Sequence, residues 1–444
     1  MSLPKVLILN QPFVTDTGGG ITLSNLFSGW DKDKLAVACL GYVLTPHIDP
    51  TICNNYYQLG DDERNWVFPL NILSRTYKSG PIKFTDTSKK NVVEEATKSK
   101  TRVGFLNRYL NPFLEYTSLS QIISKTTLSP KFKAWLDEYS PDVVYVQCST
   151  RESILFCIEV LNYLKKPSVF HMMDDWPMLI GVKGLFSSYW KNKIDKEFRT
   201  LLKSIDTHLG ICDYMADAYK KRYGFDFVTF HNPIDLEFWQ QGQKQEYELS
   251  SSPKLMYAGR IGLGIDDSLK TIAKAIAIIN AEMQMNMQFV IQSLAPPVWI
   301  KNYPVVKHKS FVPYSQLPYE FGSPDFLILP YDFSPESLAY IKYSMPTKAS
   351  EYMASGTPII IYAPHETALV DYANQSKWAT IVTDKEENKL IEGLKKMILD
   401  KNYRRKLAET AKEVAIQRHD IRTVTKDFQK ILADTASKIK KVSY

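Results

Sequence analysis

Lys348 and Glu351 stand three residues apart in the stretch Ser344-Met-Pro-Thr-Lys-Ala-Ser-Glu351-Tyr-Met-Ala-Ser-Gly356-Thr-Pro358-Ile-Ile-Ile-Tyr362. On a helix that spacing puts both side chains on one face. A cation beside free backbone N–H groups, at the positive end of a helix dipole, suits a diphosphate. A carboxylate one turn later suits two neighbouring ribose hydroxyls. The same pair also reads as an exposed ion pair on a surface helix. Ser344 reads as the N-cap, Pro346 fits the first turn, and Gly356 reads as the left-handed stop.

Three other groups of residues carry candidate chemistry. Gly259-Arg260-Ile-Gly262-Leu-Gly264 is a glycine turn whose arginine suits bidentate pairing with phosphate oxygens. Gly18-Gly19-Gly20 follows the first strand and reads as a phosphate- or sugar-binding turn, or as an ordinary strand–helix connection, since the full dinucleotide fingerprint is absent. His171, Asp174 and Asp175 leave the end of the apolar run 167–171, where open α/β sheets place their ligands. They are candidates for acting on a bound substrate, or else a satisfied strand-end histidine and a helix-capping aspartate.

These residues are positioned by two successive series of strands and helices. The first has strands at 5–10, 35–40, 141–147, 167–171 and 206–211, with helices from Ile21 to Trp30, Ser153 to Leu164 and Asp213 to Tyr223. The second has strands at 254–258, 287–292, 325–330 and 358–362, with a helix from Ser268 to Asn280. The polar stretch from Gln240 to Ser252 separates them and reads as a linker. Between about 61 and 140 the pattern loosens. There Lys98, Lys100, Arg102 and Arg108 interleave with Val103, Phe105, Leu106, Leu110, Phe113 and Leu114. Such a segment suits an anionic membrane, or an insertion covering its own core.

The chain has 444 residues, enough for two cores, and its 44% hydrophobic and 12% aromatic content is that of a folded protein. The net charge of +7 is mild and fits polyphosphate ligands or an anionic membrane surface better than nucleic acid. Five scattered cysteines without metal-ligand spacing point to a reducing compartment. No apolar run is long enough to span a membrane, and Lys5 opens a strand rather than a signal peptide. The expected location is cytoplasmic, at the inner face of the cell membrane.

His231-Asn232-Pro233-Ile234-Asp235, Tyr257-Ala-Gly259-Arg260, Leu329-Pro330 and Glu351-Tyr-Met-Ala-Ser-Gly356-Thr-Pro-Ile-Ile360 occur in that order. The set resembles the retaining GT-B glycosyltransferases of the glycogen-synthase and mannosyltransferase-like group (glycosyl transferases group 1, family 4 type). The resemblance implies an α/β fold of two Rossmann-like domains facing each other across a cleft. The acceptor-side domain would span 1–238 with an insertion-like region at 61–140. The nucleotide-sugar domain would span 253–415, and a helix within 416–444 would return to the first domain.

In this family the residue matching Glu351 holds the ribose and the one matching Arg260 neutralises the diphosphate. The donor site implied here comprises Gly18, Gly19, Gly20, Arg260, Ser344, Lys348 and Glu351. The catalytic set is Arg260, Lys348 and His171, with Asp174 as the alternative to the histidine. The chain departs from the family pattern at three places. Met173 stands where relatives carry a histidine before Asp174-Asp175-Trp176-Pro177, Tyr343 stands eight residues before Glu351 in place of a first glutamate, and Ile265 replaces a lysine five residues after Arg260. Lys348 is placed to restore that charge.

The implied activity is transfer of a sugar from a UDP- or GDP-sugar to a glycan or lipid-linked acceptor in surface polysaccharide, lipopolysaccharide or glycolipid synthesis. No metal and no permanently bound cofactor are expected, with peripheral contact to an anionic membrane. The same scaffold also serves nucleotide-sugar epimerases and non-catalytic binding proteins.

Overall fold

Runs such as Val6–Leu9 and Ile359–Tyr362 are apolar at every position because their strands are covered on both faces, as in parallel sheets flanked by helices. The computed structural model describes residues 3–68, 71, 77–84, 111–117, 119–179 and 184–438. The strands are β1 (Val6–Leu9), β2 (Leu35–Leu40), β3 (Asn55–Leu59), β4 (Arg64–Trp66), β5 (Gly80–Lys83), β6 (Ser124–Thr126), β7 (Val143–Val146) and β8 (Ser168–Met172). They continue as β9 (Thr207–Gly210), β10 (Phe227–Thr229), β11 (Lys254–Ala258), β12 (Gln288–Gln292), β13 (Val306–Lys309), β14 (Phe326–Pro330), β15 (Ile359–Tyr362) and β16 (Thr380–Val382).

The first sheet has the order β10-β9-β8-β7-β1-β2-β3-β5 and is parallel apart from its antiparallel edge pair β3–β5. The second has the order β13-β12-β11-β14-β15-β16 and is parallel throughout. Numbered within its own unit, the second sheet reads 3-2-1-4-5-6, and the first contains the same order. That is the Rossmann winding, with the strand order reversing between β1 and β7 and again between β11 and β14.

The chain divides into two compact units. One runs through Ile211, includes Ala216–Phe230 and takes the chain back from Thr425; the other holds Cys212–Met215 and His231–Val424. The division falls at 230/231, ahead of the polar stretch at 240–252. That stretch is packed within the second unit: the Lys244 N–H donates to the Ser355 carbonyl at 2.8 Å, and Arg404 donates to the Tyr247 carbonyl.

The loosely patterned region supplies the edge strand β5 and a small antiparallel sheet of β4 and β6. Of the basic–aromatic segment, residues 98–110 lie outside the described residues. No helix among the described residues is long and apolar enough to cross a membrane.

The last helix, Ile421–Ala436, begins in the second unit and ends in the first. Its Phe428 is fully buried against Phe27, Tyr145 and Phe230 at ring separations of 5.0, 6.1 and 5.3 Å. Phe428→Ala is expected to cost about 3–5 kcal/mol of first-unit stability, read as a lower denaturant midpoint. A loss below about 1 kcal/mol would show that this helix is not part of that core.

Candidate functional site

The helix carrying Lys348 and Glu351 spans Lys348–Ser355, about two turns. Ser344 is not its N-cap. Thr347 holds that position without a side-chain cap, and Ser344 closes the preceding turn by donating from its N–H to the Ile341 carbonyl at 3.0 Å. Pro346 explains the difference: its ring disfavours helical geometry at Met345, so regular helix starts only beyond it. Gly356 ends the helix in the left-handed conformation, φ 70°, as its spacing implied.

Every residue from Ala349 to Ser355 is buried, which excludes a surface helix. Lys348 and Tyr352, one turn apart, both reach the end of β11. The Lys348 ammonium donates to the Ala258 carbonyl, and the Ala258 N–H donates to the Tyr352 hydroxyl at 2.9 Å. The ammonium also lies 4.6 Å from the centre of the Tyr257 ring. A Cβ on Gly259, whose φ is 153°, would come within 1.9 Å of Lys348 Nζ. Glycine is required there by both backbone conformation and space.

Glu351 is 9% exposed, and its carboxylate has no hydrogen-bond or salt-bridge partner among the described residues. Burial pushes its pKa up to about 7 against the pull of Lys348. Burial lowers Lys348 to about 8, with Glu351 opposing that shift and Arg260 adding to it. Lys348 thus spends its ammonium on a strand end and leaves the carboxylate of Glu351 available to a ligand.

Arg260 is exposed in the glycine turn, donating to the Leu263 carbonyl at 3.0 Å with its guanidinium 5.3 Å from the centre of the Tyr340 ring. The helix after this turn, Asp266–Met283, is not open to an anion as the sequence suggested. Asp332 accepts from the Ser268 N–H at 2.7 Å, and Asp266 and Asp267 occupy the first turn. Carboxylates already offset the dipole there, so a phosphate in this unit is left with Arg260, Lys348 and the glycine-turn backbone.

Asn232 was legible as part of a motif but not in its role. Its amide donates to Ser350 Oγ at 3.2 Å on the Lys348 helix, and its carbonyl is hydrogen-bonded to His419 Nδ1 at 2.9 Å. His231 beside it stacks on Tyr372, with burial lowering its pKa to about 3.

In the first unit Gly18, Gly19 and Gly20 are the first turn of the Gly18–Leu26 helix, not a loop before it. Thr17 is the N-cap and accepts from the Gly20 N–H at 3.2 Å. A Cβ on Gly20 would lie 2.2 Å from Val14, which sets the close approach of the helix to the loop before it. Beside this turn, Asn10 leaves β1 at φ 71° and donates to the Gln147 carbonyl at 2.7 Å. Gln147 in turn contacts the Met173 sulfur at 3.4 Å. Gly19, Gln147 and Met173 therefore cluster at the carboxyl ends of β1, β7 and β8, where the strand order reverses.

His171 and the two aspartates separate into different environments. His171 is 2% exposed, holds Tyr145 Oη on Nδ1 at 2.6 Å, and is lowered to about 3 by burial. Its Nε2 is covered and unpartnered. Asp175 is buried in structural contacts with Arg222 at 2.9 Å and Tyr219 at 2.5 Å. Asp174 is exposed.

No protein-family model matches the chain, and no curated protein matches it by sequence. Solved structures do match over nearly its whole length. Anabaena HepE, in complex with UDP and glucose, is 12% identical with a TM-score of 0.57, over 97% of this chain and 99% of that one. Sucrose-phosphate synthase from Thermosynechococcus elongatus is 11% identical with a TM-score of 0.60, over 97% and 98%. A glycosyltransferase from Rickettsia africae is 11% identical with a TM-score of 0.58, over 98% and 100%. With two Rossmann-wound sheets and these neighbours, the chain has the GT-B fold.

Proposed function

We propose that this chain is a retaining glycosyltransferase that moves a hexose from a nucleotide-diphosphate sugar to a glycan or lipid-linked acceptor in surface-glycan synthesis. The observation that carries the reading is Glu351: a nine-tenths buried residue whose carboxylate has no hydrogen-bond or salt-bridge partner among the described residues, one turn from a half-buried lysine. A buried carboxylate left unmatched costs stability, and a pair of ribose hydroxyls would satisfy both its oxygens. The UDP in the HepE complex, on the same fold, makes UDP the first nucleotide to test.

In this reading Arg260 and Lys348 face the diphosphate as charge develops on it. The bond from the anomeric carbon to the β-phosphate oxygen breaks, and its electron pair stays with the phosphate. The acceptor hydroxyl forms the new bond on the same face, and its proton passes to the departing phosphate. Gly18, Gly19 and Asp174 are the first-unit residues proposed to act on the sugar or acceptor. His171 needs the side chains over its Nε2 to move before it can join them. No metal is assigned a role, and the reaction is proposed to survive chelation.

The test is a thermal-shift panel of UDP, GDP, ADP and CMP, with and without EDTA, on wild type and Glu351→Gln. Near a hundred times its dissociation constant, UDP should add about 2.7 kcal/mol of stability in either condition. Glu351→Gln should lose most of that shift. Failure of every nucleotide to bind would overturn the proposal, and binding without sugar transfer would identify a non-catalytic scaffold.

Without ligand, Glu351→Gln should be more stable than wild type by about 3 kcal/mol above pH 7. The sign follows from the raised pKa. Between the ordinary glutamate value of 4.5 and about 7, the folded chain keeps a proton that the unfolded chain has released, so wild-type stability falls as pH rises through that window. The variant should lack this slope.

UDP affinity should be bell-shaped, weakening below about pH 7 as Glu351 takes up a proton and above about pH 8 as Lys348 loses one. Calorimetric titration across pH 5.5–9.5 (roughly the span that brackets both groups) checks both limbs. A flat profile would remove these two residues from the site.

A further inference from the structure

Away from these residues, the first unit carries a surface that a soluble protein has no reason to keep. Phe113 and Tyr116 of the Asn111–Tyr116 helix, Ile122, and Leu185, Phe186 and Tyr189 are 45–65% exposed. They come from two chain segments tied together: the Leu185 N–H donates to the Tyr116 carbonyl at 3.0 Å, and Arg151 donates to the Gln121 carbonyl at 2.8 Å while lying 5.2 Å from the Trp190 ring centre. Trp190 contacts Tyr189 at 5.2 Å, which closes the patch. Contiguous exposed apolar surface of this kind marks an interaction site.

The charges beside it define the partner. On the Ser187–Ser204 helix both carboxylates are already paired, Asp195 with Arg199 and Glu197 with Arg151, each at 2.7 Å. Lys191, Lys193 and Lys196 have no acidic partner among the described residues. Lys193 instead lies 5.9 Å from the ring centres of Tyr189 and Trp190. Exposed aromatics beside uncompensated lysines match the boundary of an anionic bilayer, where rings enter the headgroup layer and ammonium groups meet lipid phosphates.

We infer that residues 113–117, 119–122 and 185–196 form a docking face for an anionic phospholipid membrane. The inference rests on first-unit surface alone. It deepens the proposed function by placing the enzyme where a lipid-linked acceptor resides.

The test is co-sedimentation of the full chain with phosphatidylcholine vesicles, with and without phosphatidylglycerol, at low and at molar salt. Binding should appear with the anionic vesicles, fall about tenfold or more on neutral ones, and weaken at molar salt. Phe186→Ser/Tyr189→Ser should reduce anionic-vesicle binding about tenfold or more with an unchanged melting temperature. Lys191→Glu/Lys193→Glu, on exposed or half-exposed positions, should do the same and serves if the first variant fails to fold.

Equal binding to both vesicle types, no binding, or variants that bind like wild type would overturn the inference. So would a concentration-dependent dimer in sedimentation that Phe186→Ser/Tyr189→Ser abolishes, since that face would then belong to a second copy. The UDP shift is measured on the same samples without lipid. Its survival when vesicle binding fails separates this inference from the proposed function.

Discussion

The Lys348 ammonium on the Ala258 carbonyl is the contact on which the second-unit site depends. It joins the start of a buried helix to the end of β11, the strand at which the sheet reverses its order. Three requirements follow. Residue 259 must be glycine, because a Cβ would occupy the path of the lysine. Tyr352, one turn on, takes the Ala258 N–H, so both polar groups of that peptide end are satisfied by one helix. And Lys348, held to the strand, is not hydrogen-bonded or salt-bridged to Glu351. The last consequence matters most. A direct ion pair would have taken up part of the carboxylate's acceptor capacity.

The cost of this arrangement falls on stability. Burial disfavours the charged forms of both residues, which is why the lysine is lowered to about 8 and the glutamate raised to about 7. Arg260, exposed immediately after Gly259, adds positive charge near Lys348 without being buried itself. Two cations and an open carboxylate can be assembled in this way only because the Asn232–Ser350 bond and the buried faces of the Lys348–Ser355 helix fix its position independently of the charges. Functional sites commonly carry destabilised groups of this kind.

How much of this the sequence displayed depended on whether a feature was local. The parallel strands were legible because burial on both faces leaves uninterrupted apolar runs, and the glycine at 356 because a helix stop needs the left-handed conformation. Ser344 misled because Pro346 delays the helix by three residues, and a capping residue cannot act across that gap. Gly18–Gly20 misled in the opposite sense. Thr17 is a good N-cap immediately before them, and weighing it would have put the glycines inside the helix. The polar stretch at 240–252 had the composition of a linker, yet it is fixed by hydrogen bonds to Ser355 and Arg404, more than a hundred residues away. Composition carries no trace of such partners. The Lys348–Ala258 contact is of the same kind.

His171 and Glu351 are both buried polar groups with an unmatched atom, but they differ in what can reach them. Gln147 donates to the Tyr145 oxygen at 3.3 Å, so we assign the phenol proton to His171 Nδ1 and the ring proton to Nε2. That Nε2–H is covered and has no acceptor, an omission costing about 1–3 kcal/mol. With its pKa lowered to about 3, the ring stays neutral at any ordinary pH. His171 can therefore act only as a hydrogen-bonding group, never as a fixed positive charge, and only after the packing above it shifts. Asp174, three residues on, is exposed. A carboxylate at that strand end favours developing positive charge on a sugar, which a neutral imidazole does far less well. Within the proposed reaction, the physical case for a first-unit group thus favours the aspartate over the histidine.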